Sequence, residues 1–221
     1  MDSQAHAGCR FCSYFNSSLG QKFIVGGAGL LLCGFLLTHL AGNLFLFVGE
    51  GAFNHYAETL EKNPLLPAAE IGLAVLFLMH IVVAVKVRAH NAQARPAGYA
   101  VYKEKGGRTP GSKTMSWTAG LVFFFLIVHL KTFRFGEDND GLYRLVTDWF
   151  KNRLYAGFYI AAILGLGLHL SHGFQSAFQT FGVNHPKYTP LLKKAGLGFA
   201  LLITLGFASM PLYFGFLGGA K

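Results

Sequence analysis

The amino-acid sequence predicts an all-α integral membrane protein, a bundle of five transmembrane helices. Hydrophobic residues make up 52% of the 221 residues and charged residues only 13%, whereas charged residues make up about 25% of an ordinary soluble domain. The apolar residues form five runs, each close to the roughly 20 residues that a helix needs to cross a bilayer. Strands or irregular segments would leave backbone groups without partners in lipid, so each run is predicted to be helical.

The five spans follow one another along a single membrane domain that covers residues 1–221. They are predicted at about residues 22–48, 67–87, 117–135, 154–174 and 195–216, after a short polar tail over residues 1–20. This tail has no short apolar segment followed by a cleavage site, so we expect the first span to stay attached. The connections between the spans are predicted to be short.

Basic residues in two of the connections predict the orientation of the bundle. The connection after span two and the one before span five are rich in lysine and arginine, with Glu104 as their one acid. Short loops rich in basic residues mark the cytoplasmic side of a membrane. The N-terminus is therefore predicted to be cytoplasmic and the C-terminus outside. Because the net charge of +9 is spread over such loops, no binding to nucleic acid is expected.

Three cysteines, Cys9, Cys12 and Cys33, are too few for a disulfide framework, and Cys33 lies within the first span. Cys9 and Cys12 are spaced as in a haem-attachment motif, but Ser13 follows them where that motif needs a histidine. Together with His6 the pair could bind a metal ion. An ordinary cytoplasmic tail is the favoured interpretation.

Five histidines lie inside the predicted spans, where ionisable residues are costly and mostly functional. They are His39 in span one, His80 in span two, His129 in span three, and His169 and His172 in span four. One such residue alone can be a hydrogen-bonded core residue, but histidines in four spans indicate a shared role. An uncharged imidazole is a natural axial ligand of haem iron, so these residues are candidate haem ligands.

The position of each histidine along its span predicts its depth, because successive spans cross the membrane in opposite directions. His39 and His129 fall in the outer half, and His80 and His169 fall in the inner half. Two ligands of one iron must lie at the same level, so the sequence predicts an outer pair and an inner pair. His172 can face the same side as His169, and spacing alone does not choose between them. Because His172 lies nearer the cytoplasmic end, it is assigned to hydrogen bonding around the inner haem.

These motifs together resemble a known family, the di-haem cytochrome b membrane anchor of succinate dehydrogenase and fumarate reductase. The resemblance runs over nearly the whole chain. It rests on residues 38–43 (THLAGN), 52–57 (AFNxYA), 69–72 (AEIG), 79–80 (MH), 128–130 (VHL) and 169–182 (HLSHGFxSxxQTxG). The order of these motifs along the chain carries the resemblance, since each of them alone is short.

The resemblance implies two haems b as cofactors. His39 and His129 would bind the distal iron, and His80 and a histidine of span four would bind the proximal one. Relatives place that fourth ligand thirteen residues before the glycine that matches Gly182, which selects His169. The chain would be a subunit of a succinate:quinone or quinol:fumarate oxidoreductase, whose dicarboxylate site lies on another subunit.

The resemblance also implies partners, a substrate and a location. A flavoprotein subunit carrying FAD and an iron–sulfur subunit would dock on the cytoplasmic face, where Arg95, Arg108 and the polar N-terminal tail would meet them. The substrate of this chain would be a quinone, expected to be menaquinone, in the bacterial inner membrane. Glu58 and then Glu61 are candidates for proton transfer to the quinone. The alternative is that both are solvated loop acids.

Two other interpretations stay open at the level of sequence. The first is a di-haem cytochrome b subunit of a nitrate reductase or a hydrogenase, which also uses a small helical bundle. The second is a non-haem membrane transporter with histidines along its substrate path, although the broken helices and inverted repeats typical of transporters are not visible. A pigment with b-type optical bands would exclude the transporter.

Overall fold

The computed structural model describes residues 17–94, 109–137 and 139–219, and these form helices and the turns that join them. The α-helices are α1 (Ser18–Asn43), α2 (Glu50–Glu61), α3 (Leu66–Gln93), α4 (Pro110–His129), α5 (Leu142–Lys151), α6 (Arg153–Thr180) and α7 (Thr189–Phe216). A 3₁₀-helix, Leu44–Phe47, extends α1, and a π-helical turn, Leu130–Arg134, extends α4.

Five helical segments are long and apolar enough to cross a membrane. They are Ser18–Phe47, Leu66–Gln93, Pro110–Arg134, Arg153–Thr180 and Thr189–Phe216. They confirm the predicted all-α class and the five candidate spans of a multi-pass membrane protein. The helices are longer than the predicted apolar runs, because the polar residues that cap them lie beyond the ends of those runs in the sequence. Ser17 accepts a hydrogen bond from the backbone N–H of Gly20 at 3.1 Å, and Asn152 accepts one from Leu154 at 3.0 Å.

The prediction of short connections is wrong at two places, where the connections contain the helices α2 and α5. Both are amphipathic, and such helices form when one face can be buried. α5 buries Val146 and Phe150, and α2 buries Phe53. We call α2 and α5 the cap, the end of the bundle that carries them the cap end, and the opposite end the basic end.

Polar contacts join the two helices of the cap. The side chain of Asn54 on α2 accepts a hydrogen bond from the backbone N–H of Tyr143 at 2.9 Å. This contact replaces a local cap for α5, since the residue before α5 is Gly141, which has no side chain to offer. Glu50 and Arg144 form an ion pair at 2.9 Å beside it. The motif at residues 52–57 therefore has a structural role at the cap end.

Charge is distributed unequally between the two ends. Every described acidic residue lies at the cap end. This end also carries basic residues, such as Lys62 and Arg153. The described charged residues at the basic end are all cations: Lys22, Lys86, Arg88, Lys113, Lys187, Lys193 and Lys194. Arg95, Arg108 and the N-terminal residues His6, Cys9 and Cys12 lie outside the described residues.

Helix α6 lies at the centre of the bundle and packs against α1, α4 and α7. Small residues allow this close approach: Ala156 and Ala162 are fully buried on α6, and Gly165 of α6 faces Leu121 of α4. Helix α3 is different, because it packs mainly against α1 and has no buried residue. α3 is thus the outermost of the spanning helices.

Candidate functional site

Two of the spanning histidines, His39 and His129, lie next to each other near the cap end. His39 is in the last turns of α1, and His129 is the last residue of α4. Their ring centres are 5.8 Å apart, and the ring planes are nearly perpendicular at 87°. These are the two residues that the sequence predicts as the outer pair. Their binding of iron stays a prediction.

Aromatic side chains surround this outer pair. Phe35 stacks on His39 with ring centres 5.2 Å apart, and Phe207 of α7 lies 5.6 Å from the same ring. Phe125 and Phe133 each lie 5.6 Å from the ring of His129. Phe35, Phe125 and Phe133 are four residues from the histidine they contact, which is one helical turn. Aromatic rings therefore pack around both histidines of the outer pair.

A tyrosine is the polar neighbour of His129, and sequence reasoning missed it. The hydroxyl of Tyr159 lies 3.3 Å from Nδ1 of His129, and Tyr155 donates a hydrogen bond to the same hydroxyl at 3.1 Å. Tyr159 is only 3% exposed. Buried tyrosine hydroxyls usually find a partner, so two tyrosines four residues apart within a span were the available signal.

The second pair, His80 of α3 and His169 of α6, lies towards the basic end. The ring centres are 6.5 Å apart and the ring planes are at 69°. Nδ1 of His80 is 3.2 Å from the backbone carbonyl of Val25 on α1. An N–H at Nδ1 that donates to this carbonyl leaves Nε2 with a free lone pair, the arrangement common to metal-bound histidines.

A glycine makes room for His80. The neighbouring turn of α1 carries Gly29, and a Cβ atom there would lie 3.3 Å from Cε1 of His80. This separation is tighter than ordinary van der Waals contact.

Nδ1 of His169 and Nδ1 of His172 are buried and have no hydrogen-bond partner among the described residues. The role assigned to His172 stays a prediction.

The two pairs lie at different levels of the bundle. Gly29, which meets His80, is ten residues from His39 on α1. Tyr159, which meets His129, is ten residues from His169 on α6. At about 1.5 Å per residue, both helices separate the two levels by roughly 15 Å. The spacing along α1 and the spacing along α6 thus give the same separation between the two pairs along the bundle axis.

The geometry of both pairs is compatible with the two axial positions of a haem iron. With metal–nitrogen bonds of about 2 Å on each side, two imidazoles on one iron have ring centres about 6 Å apart. The observed separations of 5.8 and 6.5 Å bracket this distance. The described residues contain no group of three or more histidine, cysteine or acidic side chains able to hold a metal. A haem macrocycle supplies four nitrogens to its iron, so two axial imidazoles complete a six-coordinate site.

The acidic residues predicted for quinone chemistry lie apart from the enclosed histidines. Glu58 and Glu61 are on the exposed surface of α2. The Glu58 side chain is 60% exposed and pairs with Lys62 at 3.3 Å. Glu70, at the start of α3, forms two hydrogen bonds with Arg134 at 2.7 and 3.0 Å. The proton-transfer roles of Glu58 and Glu61 stay predictions.

The comparisons with known proteins add no family to these observations. Protein-family models, curated proteins and solved structures all give no match to the chain. Its function is therefore inferred from the two histidine pairs, the bundle that holds them, and the motifs described above.

Proposed function

We propose that this chain is the di-haem cytochrome b membrane anchor of a succinate dehydrogenase or fumarate reductase complex. It carries electrons between a menaquinone pool and the iron–sulfur and flavoprotein subunits. One observation supports this most: two imidazole pairs lie at separate levels of one bundle. The ring centres are 5.8 Å apart within the outer pair and 6.5 Å apart within the inner pair. The motif resemblance supports the choice of this family among membrane cytochromes.

Each pair would hold one haem. His39 and His129 are the ligands at the outer level, and His80 and His169 are those at the inner level. Bound haem would supply a one-electron carrier at each level. The protein contributes orientation and a dry surrounding: the Val25 carbonyl fixes the ring of His80, and the phenylalanines around the outer pair exclude water.

The distribution of charge supports an orientation for the complex. The basic end, with no described acid, is the cytoplasmic side by the positive-inside rule. The flavoprotein and iron–sulfur subunits would dock there, next to the inner haem. The N-terminus would be cytoplasmic and the C-terminus outside. In this orientation the cap covers the end of the bundle that lies at the outer face of a bacterial inner membrane.

Quinone chemistry would take place at the outer level, below the cap. Reduction or oxidation of a quinone needs a nearby group to exchange protons. Glu58 and Glu61 lie on the exposed side of α2, so we propose that they exchange protons between the site and the aqueous phase. The same exposure suits ordinary solvated acids. Loss of quinol turnover in Glu58→Gln, with both haems still reducible, would distinguish the first role from the second.

The first experiment is a haem count by pyridine haemochrome and a reduced-minus-oxidised spectrum on the purified chain. We expect two b haems per chain. In the intact complex, succinate should reduce haem through the chain. A chain without haem would overturn the proposal and leave the transporter as the alternative. Two haems that hydrogen or another donor reduces, and succinate does not, would indicate another respiratory cytochrome b.

A further inference from the structure

The outer histidine pair has a side-chain hydroxyl as a hydrogen-bond partner, whereas the partner of His80 in the inner pair is a backbone carbonyl. Oη of Tyr159 lies 3.3 Å from Nδ1 of His129, and it accepts a hydrogen bond from Tyr155 at 3.1 Å. Both tyrosines are on α6, one helical turn apart, whereas His129 is at the end of α4. The contact therefore joins two helices at the level of the outer pair.

We propose that Tyr159, held by Tyr155, is a positioning residue for His129 and sets the redox potential of the outer haem. This inference rests on the proposed function, because it concerns a ligand of that haem. Tyr159 acts through His129 and is not placed in contact with the haem itself. Its hydroxyl has two lone pairs and can accept from Tyr155 and from Nδ1–H of His129 together.

The physical basis is the tautomer and basicity of the imidazole. An acceptor at Nδ1 keeps the proton on that nitrogen, leaves Nε2 free for iron, and makes the ligand more basic. A more basic ligand stabilises ferric over ferrous iron. Removing the acceptor should therefore raise the midpoint potential of the outer haem. The aromatic rings around the pair strengthen the effect, because a hydrogen bond is electrostatically stronger in a low-dielectric surrounding.

Packing around Tyr159 makes a clean substitution available. Its ring is 4.8 Å from Phe125 and 5.2 Å from Phe150, measured between ring centres. Tyr159→Phe keeps these ring contacts and removes only the hydroxyl. Tyr155→Phe removes the supporting donor and leaves the Tyr159 hydroxyl next to His129. It should therefore raise the potential of the outer haem by less than Tyr159→Phe does.

The test is a redox titration of both haems in the complex purified from membranes, with the haem count measured in parallel. The outer haem is identified as the one whose signal is lost in His129→Ala. We expect Tyr159→Phe to keep two haems and to shift the outer equilibrium at least threefold towards the reduced form. At about 59 mV per tenfold change for one electron, this is a rise of about 28 mV. The inner potential should not move.

Tyr143→Phe is the matched control, because this tyrosine packs in the cap against Phe53 and Phe214. It should shift neither potential. Selective loss of the outer haem in Tyr159→Phe would show that the hydroxyl is needed to retain that haem, and would overturn the proposal that it sets the potential. An unchanged outer potential, an equal shift of both haems, or the loss of both would overturn it. A wild-type chain without haem would instead overturn the proposed function, so the two failures are distinguishable.

Discussion

The two histidine pairs are held by different kinds of contact. Around the outer pair the neighbours are side chains, including the rings of Phe35 and Phe133 and the hydroxyl of Tyr159. At the inner pair the neighbours of His80 are backbone, namely the carbonyl of Val25 and the bare surface of Gly29. The outer pair also joins helices α1 and α4, whereas the inner pair includes the peripheral helix α3.

This difference has consequences for tuning and for stability. A potential set by side chains can be changed by single substitutions, whereas a backbone carbonyl stays when its residue is replaced. The inner site depends instead on how closely α3 approaches α1, and α3 has no buried residue to anchor it. We therefore expect substitutions at the outer site to alter potential, and substitutions at the α1–α3 contact to alter haem retention.

The largest effects should come from removing the ligands themselves. His39→Ala or His129→Ala should remove the outer haem, and His80→Ala or His169→Ala the inner haem, because one imidazole cannot complete a six-coordinate iron. The haem-to-chain ratio should fall from two to one in each variant. His90→Ala, at an exposed position near the end of α3, is the control. Retention of two haems in any of the four ligand variants would contradict the pairing.

A second, more local change should separate the inner site from the outer one. Gly29→Leu places a side chain where even a Cβ atom would be 3.3 Å from His80, so the ring must move. We expect affinity for the inner haem to fall by about tenfold or more, as with other contacts that orient a ligand. The haem count and the spectrum of the remaining haem measure this.

Gly34→Leu on the same helix is its matched control, because a Cβ atom there meets nothing within 4 Å. Leucine favours helix more than glycine does, so a loss in Gly29→Leu cannot be assigned to weaker helix formation. Equal haem retention in the two leucine variants would show that the approach of α3 does not hold the inner site.

Much of this comparison was predictable from sequence, and the rest depended on helix rotation. The spans were predictable because lipid demands long apolar helices, and the level of each histidine followed from the alternating direction of the spans. The contact of Tyr159 with His129 depends on which face α6 turns towards α4, which spacing along one helix does not give. The Val25 carbonyl carries no sequence signal at all. The helices of the cap were missed because charged residues conceal their apolar faces.

An intermediate effect is expected at His172, one turn beyond His169. Its Nδ1 is buried with no hydrogen-bond partner among the described residues, so the ring is available to a group near the inner haem. His172→Ala should leave both haems bound and change the inner potential alone. Redox titration measures this change. Loss of the inner haem would instead make His172 a ligand, and a change at the outer haem would contradict an inner location.

The smallest predicted effect lies in the cap and concerns stability rather than haem. Asn54→Ala removes the acceptor for the backbone N–H of Tyr143, at 2.9 Å, in the first turn of α5. Losing such a capping acceptor costs about 1 kcal/mol, which corresponds to a fall in Tm of about 2–4 °C for a chain of this size. Thermal unfolding in detergent measures it. Asn91→Ala at the basic end is the control.

Because the cap lies nearest the outer pair, the outer haem should be released first on heating Asn54→Ala. Simultaneous release of both haems would show that the cap does not protect the outer site separately.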